Sequence, residues 1–183
     1  MWLATSSQDP EGSEDTVALL ILTRMTTCST MVLMRVLLIA GAAAALAACA
    51  KEQVLFVCEH GAAKSVVAAA YFNKLASERG LRARAVARGA APQDALAKSA
   101  LAGLQGDGLA PGLEAPKAVT EADVHGSARV VSFDCDQPPM KPLLAAGDCW
   151  SDVPATGEDY ARARNAIRAH VSALVEQMAR SRH

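Results

Sequence analysis

The chain has 183 residues, with 18 basic against 19 acidic for a formal net charge of −1, and its 51% hydrophobic content leans on alanine, aromatics being only 4%. That length suits one domain of ordinary size with extensions, and a core built from Val, Leu, Ile and Ala. The balanced charge, with no basic stripe interleaved with aromatics, excludes a nucleic-acid partner. The scattered Cys and His residues, with no CxxC pair and no zinc spacing, exclude a structural metal, and no cofactor is expected.

Residues 1–33 read as a non-native or disordered extension. They combine a polar, turn-rich segment with a weak apolar run, and the true start is expected at Met31 or Met34. Residues 34–48 have the layout of a secretory signal: a basic start at Arg35, an apolar stretch, then small residues. The apolar stretch is too short for a membrane span, which needs about 20 residues. "LAAC" (Leu46 to Cys49) resembles the bacterial lipoprotein box, which implies cleavage before Cys49 and a lipid on it. An Ala-rich buried helix is the alternative. Residues 49–53 then form a short linker, spanning roughly 13 Å over its last four residues when extended. The expected localisation is periplasmic and lipid-anchored to a bacterial membrane, with a cytoplasmic location as the alternative.

The domain proper is expected over 54–180. Val54-Leu55-Phe56-Val57 are β-formers on both faces, a pattern that fits a strand buried on both sides of a parallel sheet. From Ser65 to Arg79 the period becomes helical, with apolar Val67, Ala70, Tyr71 and Leu75 and a stop at Gly80. Cys58 to Lys64 is therefore a strand-to-helix loop. Its backbone N–H groups converge at a helix N-terminus, which favours bound oxyanions. The same field favours the thiolate of a cysteine placed there and makes it a better nucleophile.

Downstream, 81–92 alternates and predicts a second strand ending at Gly89. Residues 93–108 predict a second helix stopped by Gly106. Thr120 to Asp123 form a capping pattern for a short helix, followed by a third strand over 129–133. Residues 158–178 predict the clearest helix, with Ile167, Val171, Leu174, Val175 and Met178 on one stripe. No strand is readable around 140–150. Alternating strands and helices imply an α/β, three-layer, small doubly wound parallel sheet with the loop at its C-terminal edge.

The loop Cys58, Glu59-His60-Gly61-Ala62-Ala63, Lys64, Ser65 resembles the active loop of the low-molecular-weight protein tyrosine phosphatases and the related thioredoxin-linked arsenate reductases. Their signature is Cys, five residues, Arg, Ser between the first strand and first helix. The similarity spans about residues 53–178. It implies that Cys58 attacks phosphorus or arsenic, that Lys64 stands where the family's arginine clamps the oxygens, and that Ser65 bonds the thiolate. Glu59 to Ser65 would form the oxyanion site. Gly61 falls where the family has a left-handed asparagine, a conformation glycine adopts without strain. Lys64 is the departure: lysine is a point charge on a flexible stem, where arginine offers a planar fork. This implies weak phosphatase activity or a different oxyanion. Glu59 would oppose the thiolate if it points inward.

The family's general acid is an aspartate on a late loop, often shortly after a tryptophan, which selects Asp152, with Asp134 at the end of the third strand as runner-up. Cys135 and Cys149 have three readings: a thiol relay with Cys58, a structural disulfide, or two unconnected thiols. The functional expectation is hydrolysis of phosphomonoesters through a Cys58 thiophosphate. The alternatives are arsenate reduction with Cys135 and Cys149 as relay and a thioredoxin-like reductant as partner, or a non-catalytic oxyanion-binding module.

Overall fold

The structure, a computed structural model, describes residues 51–135 and 147–182. The extension at 1–33 with its Cys28, the signal-like segment 34–48 and Cys49 lie outside the described residues. Among those described, no helix is long and apolar enough to cross a membrane.

In chain order the elements are β1 (Glu52–Cys58), α1 (Lys64–Glu78), β2 (Ala83–Gly89), α2 (Lys98–Gly106), α3 (Glu121–His125), β3 (Arg129–Ser132), β4 (Asp148–Cys149) and α4 (Tyr160–Arg180). The strands form one four-stranded sheet in the order β2-β1-β3-β4, and every pairing is parallel. β1 is therefore central, which is why Val54 to Val57 are all fully buried. Its side chains alternate between faces as the pleat requires. Val54, Phe56 and Cys58 join the main core. Leu55 and Val57 face the opposite side, beneath Val86, Val119, Val124 and Val130.

The main core lies between the sheet and α1 and α4, which pack on each other, with α2 against both. α3, which carries Val124, helps cover the other face, giving three layers. On α4 the stripe Ala163, Ile167, Val171, Leu174, Val175 and Met178 is buried. A buried Val, Leu, Ile or Met of this kind contributes about 1.5–3 kcal/mol. Phe56 anchors the aromatic part of the core, with ring centroids 6.0 Å from Phe72, 6.4 Å from Phe133 and 5.5 Å from Trp150.

Local chemistry sets the element ends. α1 closes with Gly80 at φ 62°. The Leu81 N–H donates to the Ala76 carbonyl at 2.8 Å and the Gly80 N–H to the Ser77 carbonyl at 3.1 Å, the paired bonds of a glycine-terminated helix. Thr120 and Asp123 complete both halves of a capping box at the start of α3. The free edge of β2 is blunted by Asn73 from α1, whose side-chain amide takes both backbone groups of Ala85 at 2.8 and 3.1 Å.

The second helix starts at Lys98 instead of Gln93, and the Gln93 and Ala97 N–H groups donate to the His60 and Ala62 carbonyls of the neighbouring loop. β4, unreadable in the sequence, is two exposed residues held by pairing to Val131 and Ser132.

Candidate active site

Strand order reverses between β1 and β3: the chain leaves β1 for β2 on one side and later returns to β3 on the other. In such sheets the crevice beyond the strand C-termini at the reversal is where ligands bind. Cys58 ends β1 there, and Asp134 lies just past the end of β3.

The 58–64 loop is held from outside. The carbonyls of Cys58, Glu59, His60 and Ala62 accept from the N–H groups of Ala90, Ala91, Gln93 and Ala97 at 3.1, 2.7, 3.4 and 3.0 Å. These oxygens are thereby bonded away from the cleft, and the Glu59 amide is directed to the Asp134 carboxylate at its rim. Gly61 has φ 62°, and a Cβ on it would lie 2.6 Å from the Gly89 nitrogen. A Cβ on Gly89 would in turn meet the Gly61 nitrogen at 2.6 Å. Two bare backbones touch here, so both positions need glycine, one for space and the other for space and conformation.

The cleft, about 320 Å³, is lined by Cys58, Glu59, His60, Ala62, Ala63, Lys64, Gln93, Ala97, Asp134, Ala155, Thr156 and Gly157. Cys58 is buried at its floor and is the free cysteine among the described residues. Its Sγ lies 3.1 Å from Ser65 Oγ. Ser65 is fully buried in the first turn of α1. When the sulfur is a thiolate, the hydroxyl must be the donor. Lys64 Nζ donates to Asp134 Oδ1 at 2.8 Å, and the Glu59 N–H donates to Asp134 Oδ2 at 2.9 Å. One carboxylate thus takes the ammonium and a loop amide together. Lys64 also lies over the Phe133 ring, 5.9 Å from its centroid. The Glu59 side chain is exposed, its carboxylate 3.8 Å from His60 Nε2. It is directed at its neighbour instead of pressing on the thiol. His60 Nδ1 lies 3.3 Å from the Ala91 carbonyl oxygen.

The aspartate selected from the sequence as general acid is Asp152. Asp152 does not line this cleft. Its exposed carboxylate meets His170 Nε2 at 2.8 and 3.0 Å, a bond that holds the carboxyl below the usual carboxylate range. His170, reaching over from α4, stacks on Trp150 with centroids 4.8 Å apart. The carboxylate that reaches the loop is Asp134, the runner-up. Cys135 and Cys149 are joined as a disulfide, Cα–Cα 6.0 Å, so neither is a free thiol. Among the described residues no group of three His, Cys, Asp or Glu side chains could hold a metal ion.

Sequence reasoning missed the cleft's far wall and the Gly89 contact. A strand-ending glycine was the one available signal, and it fits any turn equally well. It also missed a second polar cluster, around Asp107. Asp107 Oδ2 accepts from the hydroxyls of Tyr71 and Tyr160, each at 2.7 Å, and Arg164 Nη1 donates to Oδ1 at 3.0 Å. Burial alone would raise the Asp107 carboxyl, but the bonds from Tyr160, Tyr71 and Arg164 outweigh it and hold the group below its ordinary value. The Tyr71 phenol, by contrast, is pushed up to about 12, by burial first and then by its bond to Asp107.

No protein-family model and no curated protein matches the chain. Solved structures do match its fold. YfkJ from Bacillus subtilis superposes with a TM-score of 0.66 at 17% identity, over 73% of this chain and 98% of that one. A low-molecular-weight protein tyrosine phosphatase from T. tengcongensis gives a TM-score of 0.55 at 18% identity, over 69% and 99%. An arsenate reductase from Archaeoglobus fulgidus gives 0.53 at 26% identity, over 67% and 98%. The fold is thus the one that low-molecular-weight phosphatases and arsenate reductases share.

Proposed function

We propose that the protein is a phosphatase-like enzyme that hydrolyses phosphomonoesters through Cys58. The observation that carries this reading is the Cys58–Ser65 contact at the floor of a loop whose carbonyls are bonded outward. The Ser65 hydroxyl stabilises the thiolate, which attacks phosphorus. A phosphorus–sulfur bond forms as the ester oxygen leaves with its electron pair. Water then attacks the thiophosphate and returns the thiolate. Lys64 supplies positive charge to the transferring oxygens. Asp152, the choice from the sequence, is the candidate to protonate the leaving oxygen, and Asp134 at the cleft could do so only once released from Lys64 and the Glu59 amide.

Turnover of an aryl phosphate by the wild type, Cys58→Ser and Lys64→Arg tests this. Cys58→Ser abolishes turnover, and Lys64→Arg raises it by restoring a two-pronged grip. Equal activity of Cys58→Ser and wild type would refute the mechanism.

The Cys135–Cys149 disulfide favours a second reading, since it is the oxidised pair that a thiol relay from Cys58 would leave behind. Arsenate turnover with thioredoxin, lost in Cys135→Ser while aryl phosphate turnover persists, would make the protein a reductase. The same disulfide suits an oxidising compartment. That is in keeping with a periplasmic protein, and the lipid on Cys49, which rests on the LAAC sequence, would be tested by mass spectrometry of the native N-terminus.

A further inference from the structure

We propose that Asp134 is a built-in anion occupying the oxyanion loop, and that the Cys135–Cys149 disulfide sets how firmly it does so. The inference rests on reading the Cys58 loop as an oxyanion site.

The donors that would receive a substrate's oxygens include the Lys64 ammonium and the amide of Glu59, and both are taken by the Asp134 carboxylate, at 2.8 and 2.9 Å. Lys64 and Asp134 are both largely shielded, their side chains 19% and 22% exposed. Here an ion pair is screened less than one at the surface. An incoming dianion must therefore displace a carboxylate already bound to the protein's own cation. With Asp134 in place, Lys64 brings no net charge to the cleft.

The hold on Asp134 comes from next door. The last backbone bond of this segment among the described residues is Phe133 N–H to the Val57 carbonyl, at 3.0 Å. Beyond it, the covalent link from Cys135 to Cys149 fixes the residue adjacent to Asp134, and Cys149 in turn belongs to β4 on the sheet. Restricting Asp134's backbone lowers the entropy cost of its contacts and raises its effective concentration at the loop. A dithiol reductant breaks the sulfur–sulfur bond, supplying two electrons and two protons and leaving itself as a disulfide. Cys135 and Cys149 become thiols, Asp134 gains freedom, and an external oxyanion competes on better terms.

Calorimetric binding of inorganic phosphate to the full chain tests this, in the oxidised state and after reduction by a dithiol. Reduction is expected to raise phosphate affinity about tenfold, the scale of one charge-assisted hydrogen bond. The Cys135→Ser/Cys149→Ser variant is expected to show the high affinity without reductant. Asp134→Asn is expected to show it in both redox states. Equal affinities of oxidised and reduced wild type would overturn the proposal, and so would a redox effect that persists in Asp134→Asn. If the double serine variant does not fold, the wild-type and Asp134→Asn arms decide alone. Phosphate binding by none of these proteins would sink the oxyanion reading itself. Redox-dependent binding without any ester turnover would leave this proposal standing and remove the catalytic one.

Discussion

Asp107 and Asp134 are both partly buried aspartates that accept from one cation and from other donors, yet they do opposite work. Asp107 takes two phenol hydroxyls and Arg164, and so ties α1 and α4 to the end of α2. Every partner is a side chain fixed on a helix, and the Tyr160 ring packs so closely on Gly103 that a Cβ there would fall 2.1 Å from it. Asp134 takes one ammonium and one amide at the rim of an open cleft. A carboxylate whose donors have no other use is structural. One whose donors are those an oxyanion needs is displaceable. The partner list tells these apart, where burial alone does not.

Mutations can widen or collapse that distinction. The largest effect is expected on the cleft's own scaffold. Gly61→Ala places a Cβ against Gly89 backbone at φ 62° and should cost about 3 kcal/mol or more from strain and overlap together. Urea unfolding measures it, and loss of less than about 1 kcal/mol would mean the loop can yield. Next comes Asp107→Asn, which leaves Arg164 without its carboxylate and should cost about 2–4 kcal/mol without changing phosphate affinity.

Acid should act through the same groups. Asp107 is held low as described above. For Asp123, burial works upward, but the bonds from Arg88 and Thr120 outweigh it. A carboxyl depressed in the folded state adds stability above its unfolded value of about 4 and loses it as pH falls through the folded value. Unfolding free energy should therefore drop below about pH 4. Asp107→Asn should flatten that drop, and an unchanged slope would sever Asp107 from it. The smallest stability effect is expected for Asp134→Asn, within about 1 kcal/mol, because its two donors line an open cleft where water can take the place of the carboxylate. A thermal shift as large as that of Asp107→Asn would erase the contrast.

Much of this was legible where one periodicity dominated. The run Val54 to Val57 announced a strand buried on both faces, the 167-171-174-175-178 stripe announced α4, and Thr120 with Asp123 announced α3. β4 was not legible because Asp148 and Cys149 are two exposed residues whose extension comes wholly from pairing with β3. At the site, Cys58, Lys64 and Ser65 were legible because their spacing along the chain is itself the motif. Asp152 was selected because its neighbour Trp150 resembles a family landmark, and its bond to His170, 18 residues further along the chain, was not legible there. Asp134 was legible as a strand-ending runner-up, but its pairing with Lys64, 70 residues away, was not, since local pattern carries no information at that range.

The Gly61–Gly89 contact has a consequence for how such a loop could change over generations. Its curvature is imposed by the neighbouring strand and by main-chain bonds, none of which involves the residue at position 64. Shape and reagent are thereby inherited separately. A codon for lysine is one nucleotide from a codon for arginine, so a lineage could exchange the cation and retune its chemistry without rebuilding the cradle around it.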